Sequence, residues 1–232
     1  MAYEILKDVL PPTTPGERHV AAILLVDKSG SMYGAPIAEL NQGLVEFGQA
    51  LQEDQLALGR ADISVISFDS SVHTEVGFRP GEEYQAPSLS ADGGTSMNQA
   101  IEKGLDAIEA RKQEYREQGI SYYRPWMFVM TDGAPTDTFH EATAKSRLRK
   151  AIEDKKVVYL PMGIGPNADT AKLRSYYPEG AISKPVLTAD AAHFKEAFVW
   201  LSNSISVVTN SDPSVVDEVT LPPTPSMITV GL

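Results

Sequence analysis

Residues 19–26 carry a continuous apolar run rich in β-branched side chains. A strand with no polar alternation is buried on both faces, as in a parallel sheet covered by helices. After it, the apolar period keeps changing. Ile37, Leu40, Leu44, Phe47 and Leu51 fall on one helical face within residues 36–54. Residues 62–68 and 71–76 read as strands, and the short Asp69-Ser70 connection makes them an antiparallel pair. Beyond a loop at 78–94, Met97, Ile101, Leu105 and Ile108 mark a second helix. Strands at 126–130, 157–162 and 185–187 then alternate with helices at 141–154 and 168–176. A last helix turns Phe194, Phe198, Leu201, Ile205 and Val208 inward. This alternation predicts an α/β fold: a doubly wound, mainly parallel sheet with helices on both faces and one antiparallel edge strand at 71–76. No internal repeat and no second core is evident. The reading is one domain, 18–209, between an N-terminal arm, 1–17, and a proline-containing C-terminal tail, 210–232.

Composition narrows the chemistry. The 232 residues include no cysteine, so disulfides and thiolate ligands are excluded, and the four histidines are scattered. A metal would have to be held mainly by oxygen. The formal charge of −11 argues against nucleic acid or an anionic membrane as partner. The longest apolar run, Val20 to Val26, is far shorter than the roughly 20 residues needed to span a bilayer. Residues 1–18 lack the basic-then-apolar layout of a signal peptide, so a cytoplasmic protein is expected. Nothing in the pattern fixes an oligomeric state.

The first buried strand runs into Asp27-Lys28-Ser29-Gly30-Ser31, which sets three short oxygen-bearing side chains at alternate positions. Alone, such a string serves a turn or helix cap as readily as a cation. Two more loops add to it. Gly93-Gly94-Thr95-Ser96 precedes the second helix, making Thr95 both an oxygen ligand candidate and an N-cap candidate. Thr131-Asp132-Gly133 ends the strand at 126–130. In a parallel sheet, these positions converge at the carboxyl edge, where such folds place ligands. Hard oxygen donors with few negative charges suit Mg²⁺.

Asp27-x-Ser29-x-Ser31, followed in order by Thr95 and Asp132, resembles the metal-ion-dependent adhesion site of the von Willebrand factor A family. The resemblance spans roughly residues 18–208, and none of the five positions departs from the pattern. It implies a Rossmann-like sheet and a non-enzymatic, cation-dependent protein-interaction module. Ser29 and Ser31 would be direct ligands of Mg²⁺, with Mn²⁺ or Ca²⁺ as alternatives, and Thr95 a direct or water-bridged one. Asp27 and Asp132 would act through water, and a partner protein would present an Asp or Glu carboxylate to the metal. The strings Met130-Thr131-Asp132-Gly133-Ala134-Pro135-Thr136-Asp137 and Gly163-Ile164-Gly165, with the terminal Leu-Pro-Pro, are similar to the bacterial TerY-like subgroup linked to tellurite resistance and stress.

Two rival readings come from other classes. Gly163-Ile164-Gly165-Pro166-Asn167-Ala168 matches a dinucleotide-binding fingerprint, with Asp190 at ribose-binding spacing. It sits on a late strand before a short helix, so the glycines read as shaping a strand end. A Mg²⁺-dependent phosphoester hydrolase would use Lys28 or Lys145 beside the metal, but no positioned general base stands out. His140 reads as a solvated loop residue. Tyr122, Tyr123, Trp126 and Phe128 read as core or rim, and Glu114, Arg116 and Glu117 as a solvated helix end.

Overall fold

The computed structural model describes residues 18–53, 55–166, 168–181 and 183–210, together with 223, 225 and 229–231. The N-terminal arm, most of the tail, Asp54, Asn167 and the side chain of Val208 lie outside the described residues.

The elements in chain order are β1 (Val20–Asp27), α1 (Ala35–Glu53), α2 (Gln55–Arg60), β2 (Ala61–Phe68), β3 (Val72–Pro80), α3 (Met97–Gln118), β4 (Trp126–Thr131), α4 (Glu141–Glu153), β5 (Val158–Ile164), α5 (Thr170–Arg174), β6 (Val186–Ala189), α6 (Phe194–Asn210) and β7 (Thr229–Gly231). They build one sheet in the order β3-β2-β1-β4-β5-β6-β7. The five inner strands are parallel, and β3 pairs antiparallel with β2 as the Asp69-Ser70 turn predicts. At the far edge, β7 pairs antiparallel with β6.

Every residue of β1 is buried, and its side chains alternate between two cores. Val20, Ala22, Leu24 and Val26 face the side covered by α1 and α6, where Leu40, Leu44, Phe47, Leu51, Phe194 and Phe198 pack. Ile23 and Leu25 face α3 and α4, meeting Ile101, Leu105, Ala144 and Leu148. β4 divides in the same way, with Phe128 and Met130 on one side and Met127 and Val129 on the other. Burying a large apolar side chain contributes about 1.5–3 kcal/mol, so this two-sided burial is what fixes the central strands. Tyr123, Trp126 and Phe128 are core, as read from sequence.

Several boundaries differ from the sequence reading. The first helix ends at Glu53, and a separate short helix, α2, leads into β2. β3 continues past residue 76 to Pro80, because β2 offers partners as far as Asp62; two register irregularities absorb the mismatch. β5 runs to Ile164, taking Gly163 into the strand, and α5 has only five residues.

At the amino-terminal end of the sheet lies an ionic cluster that the sequence pattern did not announce. Asp62, second in β2, is buried. Its carboxylate takes the Tyr115 hydroxyl, lies 3.2 Å from His19 Nδ1 and lies 3.0 Å from Arg111 Nη2. Among the described residues no helix is long and apolar enough to cross a membrane.

Candidate functional site

At β1 the strand order reverses, with β2 laid on one side and β4 on the other. The crevice beyond the carboxyl ends of such a strand pair is where open α/β sheets hold ligands. Asp27 ends β1, and Asp132 follows the last residue of β4.

Local geometry then gathers the side chains. The Ser29 amide donates to Asp27 Oδ1 at 2.8 Å, turning the chain sharply after the strand. Residues Gly30–Met32 form one tight helical turn, which brings Ser31 Oγ to 3.1 Å from Ser29 Oγ. Ser31 Oγ donates to Asp132 Oδ1 at 2.8 Å, joining segments 101 residues apart. Four of the five predicted residues are thus linked through hydrogen bonds.

Thr95 shares no hydrogen bond with the other four. Its loop is pinned beside them, with the Gly30 amide donating to the Gly93 carbonyl at 3.0 Å and the Asp92 amide to the Lys28 carbonyl at 2.9 Å. Thr95 is buried. It does not cap α3. That role falls to Asp137, whose carboxylate accepts the Gln99 amide at 2.8 Å and the Asn98 amide at 3.3 Å.

Asp27 carries the strongest electrostatic signal. Burial pushes its carboxyl up from 3.8 to about 6, and the nearby Asp132 adds to the rise, while hydrogen bonds from Ser29 and Thr131 oppose it. Thr131 Oγ1 donates to Asp27 Oδ2 at 2.5 Å. All these donors are neutral. The nearest lysine in sequence, Lys28, is turned to Asp69. A fully buried carboxylate facing only neutral donors is the arrangement a cation would compensate. Among the described residues no three His, Asp or Glu side chains cluster as metal ligands. The donor set is instead two carboxylates and three hydroxyls, which suits a hard cation that retains water.

The sequence reading missed Thr131, Ser70, Thr136 and Asp137. Thr131 could have been found, since it adjoins Asp132. The other three act across the fold on Gly94, Thr95 and the start of α3, and nothing local marks them. His140 Nδ1 lies 3.3 Å from Glu102 Oε1, while its side chain stays 38% exposed, as the solvated reading expects. Lys145 pairs with Glu141 at 2.6 Å.

Residues 23–191 match the von Willebrand factor type A domain family. The chain belongs to that family. The matched span takes in all five predicted site residues and ends before α6. Solved structures show the same fold for this type A domain. The vWF domain of the type V pili tip protein Mfa5 from Porphyromonas gingivalis superposes with a TM-score of 0.62 at 11% identity, covering 84% of this chain and 98% of that one. The pilus adhesin SpaC from Lactobacillus rhamnosus GG gives 0.63 at 15% identity, covering 83% of this chain and 30% of that one. Proximal thread matrix protein 1 from the mussel byssus gives 0.55 at 16%, covering 82% and 48%. The type A domain thus spans nearly all of the first and less than half of the other two. No curated protein sequence matches the chain.

Proposed function

We propose that this type A domain is a non-enzymatic, divalent-cation-dependent protein-interaction module whose site comprises Asp27, Ser29, Ser31, Thr95 and Asp132. The observation that carries the reading is the buried Asp27 carboxylate, pushed up to about 6, at one end of a hydrogen-bonded chain through Ser29 and Ser31 to Asp132. Ser29 and Ser31 are the direct ligands, Thr95 a direct or water-bridged one, and Asp27 and Asp132 orient water and balance charge. Mg²⁺ is the preferred ion, with Mn²⁺ or Ca²⁺ able to substitute. A bound cation would supply positive charge and an open coordination position for an incoming carboxylate.

The partner is a protein presenting one Asp or Glu side chain. Tyr33 and Phe139, 80% and 93% exposed, stand on the loops that follow Ser31 and Asp132. Exposed aromatic side chains of this kind commonly become buried anchors when a partner covers them. The acidic balance keeps nucleic acid and membrane surfaces out of the reading. The setting we favour is a cytoplasmic assembly of the TerY-like kind associated with tellurite and stress resistance, on the strength of the strings at 130–137 and 163–165.

The rival chemistries find little support in the side chains. Lys28 and Lys145, the two groups a phosphoester hydrolase would recruit, are paired with Asp69 and Glu141. α5 is capped by Asp169, whose carboxylate accepts the Lys172 amide at 2.8 Å and would repel a pyrophosphate.

Titration calorimetry with Mg²⁺ tests the site: wild type binds and Asp27→Ala does not, with circular dichroism unchanged. Capture from cell extract then tests the partner, which is retained in Mg²⁺, released in EDTA, and weakened by Ser29→Ala and Thr95→Ala. Equal Mg²⁺ affinity in wild type and Asp27→Ala would overturn the site. A partner indifferent to EDTA and to both substitutions would overturn the mechanism.

A further inference from the structure

The loop carrying Thr95 is gripped from two sides by residues outside the five-residue site. On one side stands the β2–β3 turn. Ser70 Oγ accepts the Gly94 amide at 2.8 Å, and the Asp69 carbonyl accepts the Ser96 amide at 2.7 Å. On the other side stands Thr136. Its hydroxyl accepts the Thr95 amide at 2.9 Å, and its own amide donates to the Thr95 carbonyl at 2.9 Å. Both backbone groups of Thr95 are occupied, which fixes where its side chain starts.

The fit is close at both glycines, and at Gly93 the backbone conformation also favours glycine. A Cβ on residue 93 would lie 2.5 Å from Ser70 Oγ, and one on residue 94 would lie 3.0 Å from Thr136 Oγ1. Gly93 also has φ +72°, which disfavours other residues. Each gripping element is anchored in turn. Asp69 pairs with Lys28 and accepts the Ser71 amide at 2.8 Å, and Asp137 holds the first turn of α3. The Thr95 hydroxyl therefore hangs from a backbone tied at Gly94, Thr95 and Ser96.

Rigidity of an oxygen donor bears on which cation it suits. Mg²⁺ requires oxygens at about 2.0–2.1 Å in near-octahedral positions, whereas Ca²⁺ accepts about 2.3–2.6 Å and variable numbers. A donor that cannot drift outward favours the smaller ion; a loosened donor serves both. We infer that Ser70 and Thr136 are positioning residues that set the preference for Mg²⁺ over Ca²⁺ by fixing Thr95. This rests on the reading that Thr95 belongs to a cation site.

The test is calorimetry with Mg²⁺ and with Ca²⁺ on wild type, Thr136→Val, Thr136→Ser and Ser70→Ala. Both residues are solvent-exposed, so the core is untouched. Losing an outer partner of a metal ligand costs about 10–100-fold in affinity. Thr136→Val is expected to weaken Mg²⁺ about tenfold while changing Ca²⁺ less than about threefold. Ser70→Ala moves the ratio the same way, and Thr136→Ser keeps the wild-type ratio. In metal-free protein, hydrogen exchange at the Thr95 amide quickens in Thr136→Val and not in Thr136→Ser. Equal losses for the two ions, no loss for either, or a Thr136→Ser variant behaving like Thr136→Val would each overturn the inference while leaving the cation site standing. Wild type binding neither ion would overturn both.

Discussion

Replacing Asp27 by asparagine in metal-free protein is expected to raise thermal stability at pH 7. The wild-type carboxyl is raised from 3.8 to about 6 on folding, chiefly by burial. At pH 7 it must ionise inside the fold, and that rise corresponds to a cost of about 3 kcal/mol. The sign follows from proton binding. Between the two values the folded state holds more protons than the unfolded one, so stability falls as pH rises. The cost is absent well below pH 3.8, about half developed near pH 5 and nearly complete at pH 7. Asparagine keeps an acceptor for the Ser29 amide but forfeits charge-assisted bonds to Ser29 and Thr131, which takes back about 1 kcal/mol or more. The net gain is about 1–2 kcal/mol, or about 2–8 °C in Tm for a chain of this size. Thermal unfolding followed by circular dichroism in EDTA at pH 5 and pH 7 measures it. The margin of Asp27→Asn over wild type is expected to shrink at pH 5, and added Mg²⁺ is expected to raise the Tm of wild type alone. A variant less stable than wild type at pH 7, or a margin insensitive to pH, would refute the reasoning.

Two further outcomes concern the scaffold. Burial pushes Asp62 upward, but the His19 hydrogen bond, the Arg111 charge and the Tyr115 hydroxyl together hold it below 3.8. Its contribution is therefore present above pH 3.8 and lost as pH falls through the lower folded value. Arg111→Met should cost about 3 kcal/mol at pH 7 and move the acid-unfolding midpoint upward, and an unmoved midpoint counts against the cluster. Gly43 of α1 faces Phe198, where an added Cβ would come within 2.5 Å of the ring. Gly43→Ala should destabilise by about 1–3 kcal/mol in urea unfolding despite its better helix propensity, and a stabilised variant would show that α6 can shift.

The parts of this protein legible in sequence are those set by periodicity and by short strings. β1 shows its burial as an unbroken apolar run, and α1 shows its inward face as Leu40, Leu44, Phe47 and Leu51. Asp27, Ser29 and Ser31 are legible because a strand end and a tight turn impose their spacing. Asp132 is legible because it closes another buried strand. Interactions between distant segments leave no such trace. Thr136 holds Thr95 across 41 positions, and Asp137 caps a helix 38 positions earlier. His19, Asp62 and Tyr115 meet only because β2 lies beside β1 and α3 packs over both. The reach of β3 to Pro80 was hidden because Gly77 and Pro80 break the alternation that marks a strand, and only the partner strand supplies the reason to continue.

The two outer strands bear on how copies of this chain meet one another. An open strand edge displays unpaired N–H and C=O groups and can recruit an identical edge from another molecule. The β3 edge is poorly made for that. Its pairing slips at two places, it carries exposed His73, Thr74 and Glu75, and it ends at a proline that has no N–H to give. At the opposite margin the described residues of β7 are Thr229–Gly231. The β3 border is a poor template for an eighth strand. Growth of the sheet from molecule to molecule is thereby disfavoured at the β3 margin.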